Sequence, residues 1–116
     1  MARATNDRLG AILVDGSGRT LYTFDRDTAG DGYDTFTASA CTGACAQTWP
    51  PLLLPAGTPR PVPGPGVAGL SIFPRDDGGG NQVAVGGRPL YLYAGDTRPG
   101  DVNGDGVGGV WHVAKG

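Results

Sequence analysis

Gly18-Arg19-Thr20-Leu21-Tyr22-Thr23-Phe24-Asp25-Arg26-Asp27-Thr28 returns later in the chain as Gly87-Arg88-Pro89-Leu90-Tyr91-Leu92-Tyr93-Ala94-Gly95-Asp96-Thr97. Six of the eleven positions are identical at a constant offset of 69 residues (87 − 18), and Val14 and Val83 share that offset. Each copy then runs through a loop to a tryptophan, Trp49 or Trp111. A short chain rarely does this by chance, so the pattern indicates two equivalent supersecondary units. The expected layout is one domain over 1–116, with repeat one near 10–54, a proline-rich connector near 55–66 and repeat two near 67–114.

The residues around each copy read as strands and turns. Ala11-Ile12-Leu13-Val14 is an apolar, β-branched run ended by Asp15-Gly16-Ser17-Gly18, a strand followed by a tight turn. Arg19–Phe24 is the return strand, and its alternation sets Tyr22 and Phe24 on one face with Leu21 and Thr23 on the other. Asp25–Asp34 reads as loop. In the second half, Leu70–Phe73, Gln82–Val85, Arg88–Tyr93 and Val110–Val113 read as strands. Arg75–Asn81 forms a glycine-bearing hairpin loop, Gly86-Gly87 a two-residue turn and Asp96–Gly109 a long loop. Ser39–Trp49 is the helix candidate, with Ser39 as its cap and Pro50-Pro51 as its stop. Leu52-Leu53-Leu54 adds a buried extended piece. The expected fold is mostly β: a compact sandwich or barrel-like domain of two pseudo-symmetric repeats with one short helix.

Composition sets the outer bounds. The 116 residues suit a single core. Twenty-two glycines and ten prolines approach the disordered range, but 39% hydrophobic residues and a net charge of only −2 permit a packed interior. The same charge, with a pI near 5.0, leaves no basic surplus for phosphates or anionic lipid, which excludes nucleic acid and anionic membrane surfaces as expected partners. No apolar run reaches transmembrane length, and no signal peptide is visible. Met1–Asp7 reads as a start placed on a trimmed mature chain. Ala38-Ser39-Ala40-Cys41 has the outline of a lipidation site, but Tyr33–Thr37 before it is polar and aromatic rather than a signal core.

The motifs together resemble a bacterial predicted lipoprotein and secreted repeat family of unknown function. Its Tyr-x-(Phe/Trp/Tyr)-x-x-Asp signature is matched by Tyr22, Phe24 and Asp27 and again by Tyr91, Tyr93 and Asp96. Its Cys-x-x-x-Cys before Trp-Pro-Pro is matched by Cys41, Cys45, Trp49, Pro50 and Pro51, and its ending by Pro99, Gly100, Asp101, Trp111 and His112. The resemblance implies an extracytoplasmic location, secreted or anchored to the envelope, and is compatible with a lipid anchor on a longer precursor. It implies no reaction.

Three groups of residues are candidates for chemistry. Cys41 and Cys45, four apart, fall on one face of a helix; they can pair, join His112 as a metal or redox site, or stand as buried thiols. The close spacing and the secreted-type family favour a Cys41–Cys45 disulfide. Asp101-x-Asn103-x-Asp105-Gly106 copies the first half of a calcium loop, although His112 stands where the bidentate Glu belongs, so calcium binding there is expected only in a weak range, on the order of 10⁻⁴ to 10⁻³ M. The alternative for that loop is a solvated turn. Tyr22, Phe24, Tyr91 and Tyr93 form either core or an aromatic ligand face, and core is the commoner use. Asp27 and Asp96 are expected to accept backbone N–H groups in the following turn. The leading expectation is a non-catalytic secreted or cell-envelope domain for binding or structure, with an unknown envelope or extracellular partner and no required cofactor. The alternative is a metal-binding or redox envelope protein using Cys41, Cys45 and His112, and an enzyme of unknown type stands third.

Overall fold

A computed structural model describes residues 1–28, 38–54, 64, 67–75 and 77–115. The proline-rich connector, apart from Gly64 and the residues from 67 on, and Tyr33–Thr37 lie outside the described residues.

The first element of the described chain is a strand. Strand β1 (Ala2–Asn6) pairs antiparallel with β2 (Gly10–Val14), Ala2 opposite Val14. The turn between them is closed by the Asn6 side chain, whose Oδ1 accepts the backbone N–H groups of Arg8 and Leu9, each at 2.9 Å. Asp15 then does the same for the next turn, accepting from Ser17 and Arg19. Gly18, with φ near 83°, supplies the left-handed residue that the reversal needs. Val14 faces Thr20 across this turn. Beyond Leu21 the chain leaves β2, and β3 (Tyr22–Phe24) pairs with β7 (Trp111–Val113), near the C-terminal end.

Repeat two rebuilds this plan. Strand β4 (Leu70–Pro74) pairs with β5 (Asn81–Val85), and β5 pairs with β6 (Arg88–Pro89). Gly87, which matches Gly18, also has positive φ, 78°. The strand expected over Arg88–Tyr93 stops at Pro89 because Leu90–Ala94 turns to the Trp49 segment. Leu52 N–H donates to Leu90, Leu92 N–H to Pro50 and Ala94 N–H to Thr48. The same ladder in repeat one runs from Ala114 to Leu21 and from Asp25 to Val110. Pro50 and Pro51 thus take the places of His112 and Val113. Proline has no N–H to give, which is why a regular strand forms on one side and only isolated bridges on the other.

The two hairpins match with one gap. Thr20 faces Val14, whereas Pro89, its partner at offset 69, faces Ala84. Leu21 N–H donates to Leu13, and Leu90 N–H to Val83. The structural counterpart of Val14 is therefore Ala84, not Val83, because the turn in repeat one is one residue longer.

The helix is also shorter than expected. α1 covers only Ala44–Thr48, preceded by Gly43 at φ 60°, a left-handed residue that breaks any helix begun at Ser39. Ser39 caps no helix; its hydroxyl accepts the Cys41 N–H at 3.2 Å and meets the Tyr91 hydroxyl. A single-turn 3-10 helix, Val107–Gly109, precedes β7. The result is β-rich, in small antiparallel sheets of two and three strands that do not close into a barrel.

The central strands bury both faces. Ile12, Val14, Tyr22, Phe24, Cys41, Trp49, Tyr91, Trp111 and Val113 form an aromatic core. Leu13, Leu21, Val83, Leu90 and Ala114 form an aliphatic one. Strand alternation assigns neighbours to opposite cores, Leu13 against Ile12 and Leu21 against Tyr22.

Candidate functional site

Tyr22 and Tyr91 sit at the centre of the two halves. Each donates its backbone N–H to the other's carbonyl, at 2.8 and 2.9 Å. Both side chains are wholly buried. Trp49 and Trp111 lie face to face between them, centroids 3.8 Å apart and planes within 3°. Tyr93 stacks on Trp49 at 4.2 Å and Phe24 on Trp111 at 4.1 Å. Tyr22 meets Trp49 edge-on at 5.4 Å, and Tyr91 meets Trp111 edge-on at 5.1 Å. The arrangement repeats under a pseudo-two-fold axis, and the edge-on Tyr–Trp contacts are the favourable geometry for aromatic quadrupoles.

The hydroxyl groups cross between the copies. Tyr22 donates to Asp96 Oδ2 at 2.6 Å, and Tyr91 donates to Asp27 Oδ2 at 2.7 Å. The remaining oxygen of each aspartate accepts a backbone N–H, Asp96 from Asn103 and Asp27 from Ala40. Burial, reinforced by the bonded carboxylates, pushes both tyrosine hydroxyls well above their ordinary range. Burial also raises the Asp27 carboxyl, against the opposing pull of the Tyr91 and Ala40 hydrogen bonds and the Arg75 charge. Among the described residues, no buried side-chain nitrogen or oxygen lacks a hydrogen-bond partner. Tyrosine and aspartate here hold each other across the two copies.

Residues 4–53 and 71–115 match a family described as a secreted repeat of unknown function. The chain belongs to that family. No curated protein and no solved structure matches the chain. The two matched stretches each carry one copy of the Tyr/Asp motif, so the secreted repeat supplies half of the aromatic centre and completes it with the other half.

Around that shared centre the two repeats close differently. In repeat one, Cys41 and Cys45 are joined by a disulfide, Sγ–Sγ 2.06 Å. Arg75, almost wholly buried, reaches this loop from the end of β4. Its Nη2 donates to the Cys41 carbonyl at 2.7 Å, and Nη1 donates to Gln82 Oε1 at 2.7 Å and to Ser39 Oγ at 3.3 Å. Asp77 pairs with the guanidinium at 2.8 Å, which raises the arginine and lowers the aspartate. Arg75 lies just past β4, in the loop expected from Arg75 on, but its burial is not expected from the sequence. Strand parity could have found it, since Phe73, two residues earlier, faces inward.

In repeat two the loop is held by its own backbone. Gly104 N–H donates to the Tyr22 hydroxyl at 3.2 Å, and Thr20 Oγ1 donates to the Asp101 carbonyl at 2.7 Å. A Cβ on Gly104 would stand 2.6 Å from the Trp49 ring, so glycine is required there by close approach. Asp101 Oδ2 accepts from the Thr97 and Arg98 N–H groups, which hold its carboxyl below the usual range. Asp105 Oδ1 accepts from Val113 N–H, and Asn103 Nδ2 donates to Gly95. Asn103 and Asp105 also line an open cleft of about 570 Å³ with Asn6, Asp7, Arg8 and Val102. Among the described residues, no three His, Cys, Asp or Glu side chains are grouped as a metal site. Cys41 and Cys45 are bonded to each other, and His112 lies exposed, paired with Asp25 at 2.8 Å. The Cys41, Cys45 and His112 ligand set is not assembled.

Proposed function

We propose that this member of the secreted-repeat family is a non-catalytic extracytoplasmic domain with a binding or structural role, presented at the cell envelope or released from it. The observation that carries this reading is the crossed pair of Tyr–Asp hydrogen bonds. Tyr22, Tyr91 and Asp96 are buried, Asp27 is half-buried, and the four are bonded in pairs, so the repeated motif holds the halves together and leaves partner contacts to the surface loops. No helix among the described residues is long and apolar enough to cross a membrane, so attachment to the envelope would rest on a partner or on a lipid carried by a longer precursor. Fractionation of cells making the full native precursor tests the location. Recovery outside the cytoplasm supports the reading, and recovery only in the cytosol overturns it.

A second reading concerns calcium at Asp101, Asn103 and Asp105. It is favoured by the cleft that Asn103 and Asp105 share with Asn6 and Asp7. Titration calorimetry at millimolar calcium decides it: heat with a raised thermal midpoint supports binding, and neither effect removes it.

A further inference from the structure

The disulfide loop is wired to the aromatic centre in two directions. Toward Tyr91, the Cys41 carbonyl accepts from Arg75, Arg75 donates to Ser39 Oγ, and Ser39 meets the Tyr91 hydroxyl. Tyr91 then donates to Asp27, whose other oxygen accepts from Ala40 N–H, next to Cys41. The circuit closes on itself through the loop that the disulfide fixes. Toward Trp49, Cys45 lies in α1 and its carbonyl accepts the Trp49 N–H at 2.8 Å.

That helix has five residues, no side-chain cap and no buried residue. A helix so short cannot hold itself in water. The cross-link from Cys45 to the fully buried Cys41 anchors its start, while the Ala94 N–H bond to the Thr48 carbonyl holds its end. The matching loop of repeat two has no such dependence. There Asn103 N–H and Gly104 N–H reach Asp96 and Tyr22 directly.

From this asymmetry we infer that the Cys41–Cys45 disulfide is a redox-sensitive latch, whose reduction loosens the Tyr91–Asp27 side of the aromatic centre and leaves the Tyr22–Asp96 side closed. The co-reactant is a dithiol reductant. Cys45 is half-buried and Cys41 wholly buried, so the attacking thiolate reaches Cys45 Sγ. The Sγ–Sγ bond breaks, and Cys41 leaves as a thiolate and takes up a proton. The second thiol of the reductant then displaces Cys45 from the mixed disulfide, and Cys45 is protonated in turn. Two electrons pass from the dithiol to the cystine, and the reductant leaves as a cyclic disulfide. With the loop released, the buried Arg75 guanidinium loses its Cys41 carbonyl and Ser39 partners, which drives the local repacking.

Amide hydrogen exchange on the intact chain, with and without dithiothreitol, tests the latch. The probes are symmetric: Ala40 N–H on Asp27 and Asn103 N–H on Asp96. On reduction, exchange at Ala40 and Trp49 should rise at least tenfold relative to Asn103 and Gly104. Equal changes on both sides, including global unfolding, or no change at Ala40 would overturn the proposal. Arg75→Met isolates the wiring with the disulfide intact. Exchange should rise at Ala40 and Cys41 but not at Trp49, and unchanged protection at Ala40 would show that the coupling does not run through Arg75.

Discussion

The loop closing repeat one and the loop closing repeat two reach equivalent tyrosine–aspartate pairs, Tyr91–Asp27 and Tyr22–Asp96, by different chemistry. Residues 39–48 rely on a covalent cross-link and a buried arginine; residues 97–110 rely on glycine, backbone N–H groups and a capping aspartate. Ala40 and Asn103 correspond, each donating its N–H to a motif aspartate. Their successors, Cys41 and Gly104, therefore also correspond. Where repeat two lets the backbone touch the Trp49 ring, repeat one places the Cys41 side chain in the aromatic core and ties it into a disulfide. The shared centre tolerates either closure because its own polar groups are already satisfied across the axis.

The comparison can be broken most severely at the centre. Tyr22→Ala and Tyr91→Ala should each cost about 3 to 5 kcal/mol, by similar amounts, measured by denaturant unfolding. Such a loss is a large share of the roughly 5 to 15 kcal/mol a domain of this size has. Unequal costs would show that one half dominates the core. Gly104→Ala comes next, at about 1 to 3 kcal/mol from overpacking against Trp49 and Tyr22. The reverse change in the other half, Cys41→Gly with Cys45→Ala, should lose the disulfide contribution, about 2 kcal/mol for so short a loop, and leave Tyr22 undisturbed by NMR.

Alkaline pH sharpens the symmetry. The folded-state values of Tyr22 and Tyr91 lie above the ordinary 10.0, so folding favours their neutral forms. That contribution is fully present below pH 10 and is lost as pH rises above it. In a spectroscopic titration, Tyr22 and Tyr91 should stay un-ionised past that point and ionise only as the protein unfolds. Early ionisation of one alone would mean that its half is open. The smallest effect belongs to the exposed His112–Asp25 pair: Asp25→Asn should change stability by about 1 kcal/mol or less.

Much of this was legible in the residues. Turn signals bounded the strands, and a tandem motif ending in a tryptophan implies two matching Tyr–Trp contacts. The crossing of the hydroxyls was not legible. When both copies carry the same tyrosine and aspartate, a bond within a copy and a bond between copies have identical signatures. The Val14–Val83 match failed because an offset assumes equal turn lengths, and Asp15-Gly16-Ser17-Gly18 holds one residue more than its counterpart. Strand β1 was hidden because Met1–Asp7, small and polar, reads as a start placed on a trimmed chain, although Ala2 and Ala4 pack inward. Arg75 was hidden by its charge, since a buried guanidinium is recognisable only when its partners, Gln82, Asp77 and the Cys41 carbonyl, are seen together.

The central claim is that each motif is completed by the other copy. Double-mutant cycles on unfolding free energy test it most directly, with tyrosine changed to phenylalanine and aspartate to asparagine. The account predicts coupling of about 0.5 to 3 kcal/mol for Tyr22 with Asp96 and for Tyr91 with Asp27, and values near zero for Tyr22 with Asp27 and Tyr91 with Asp96. Coupling confined to the pairs within one copy would contradict it.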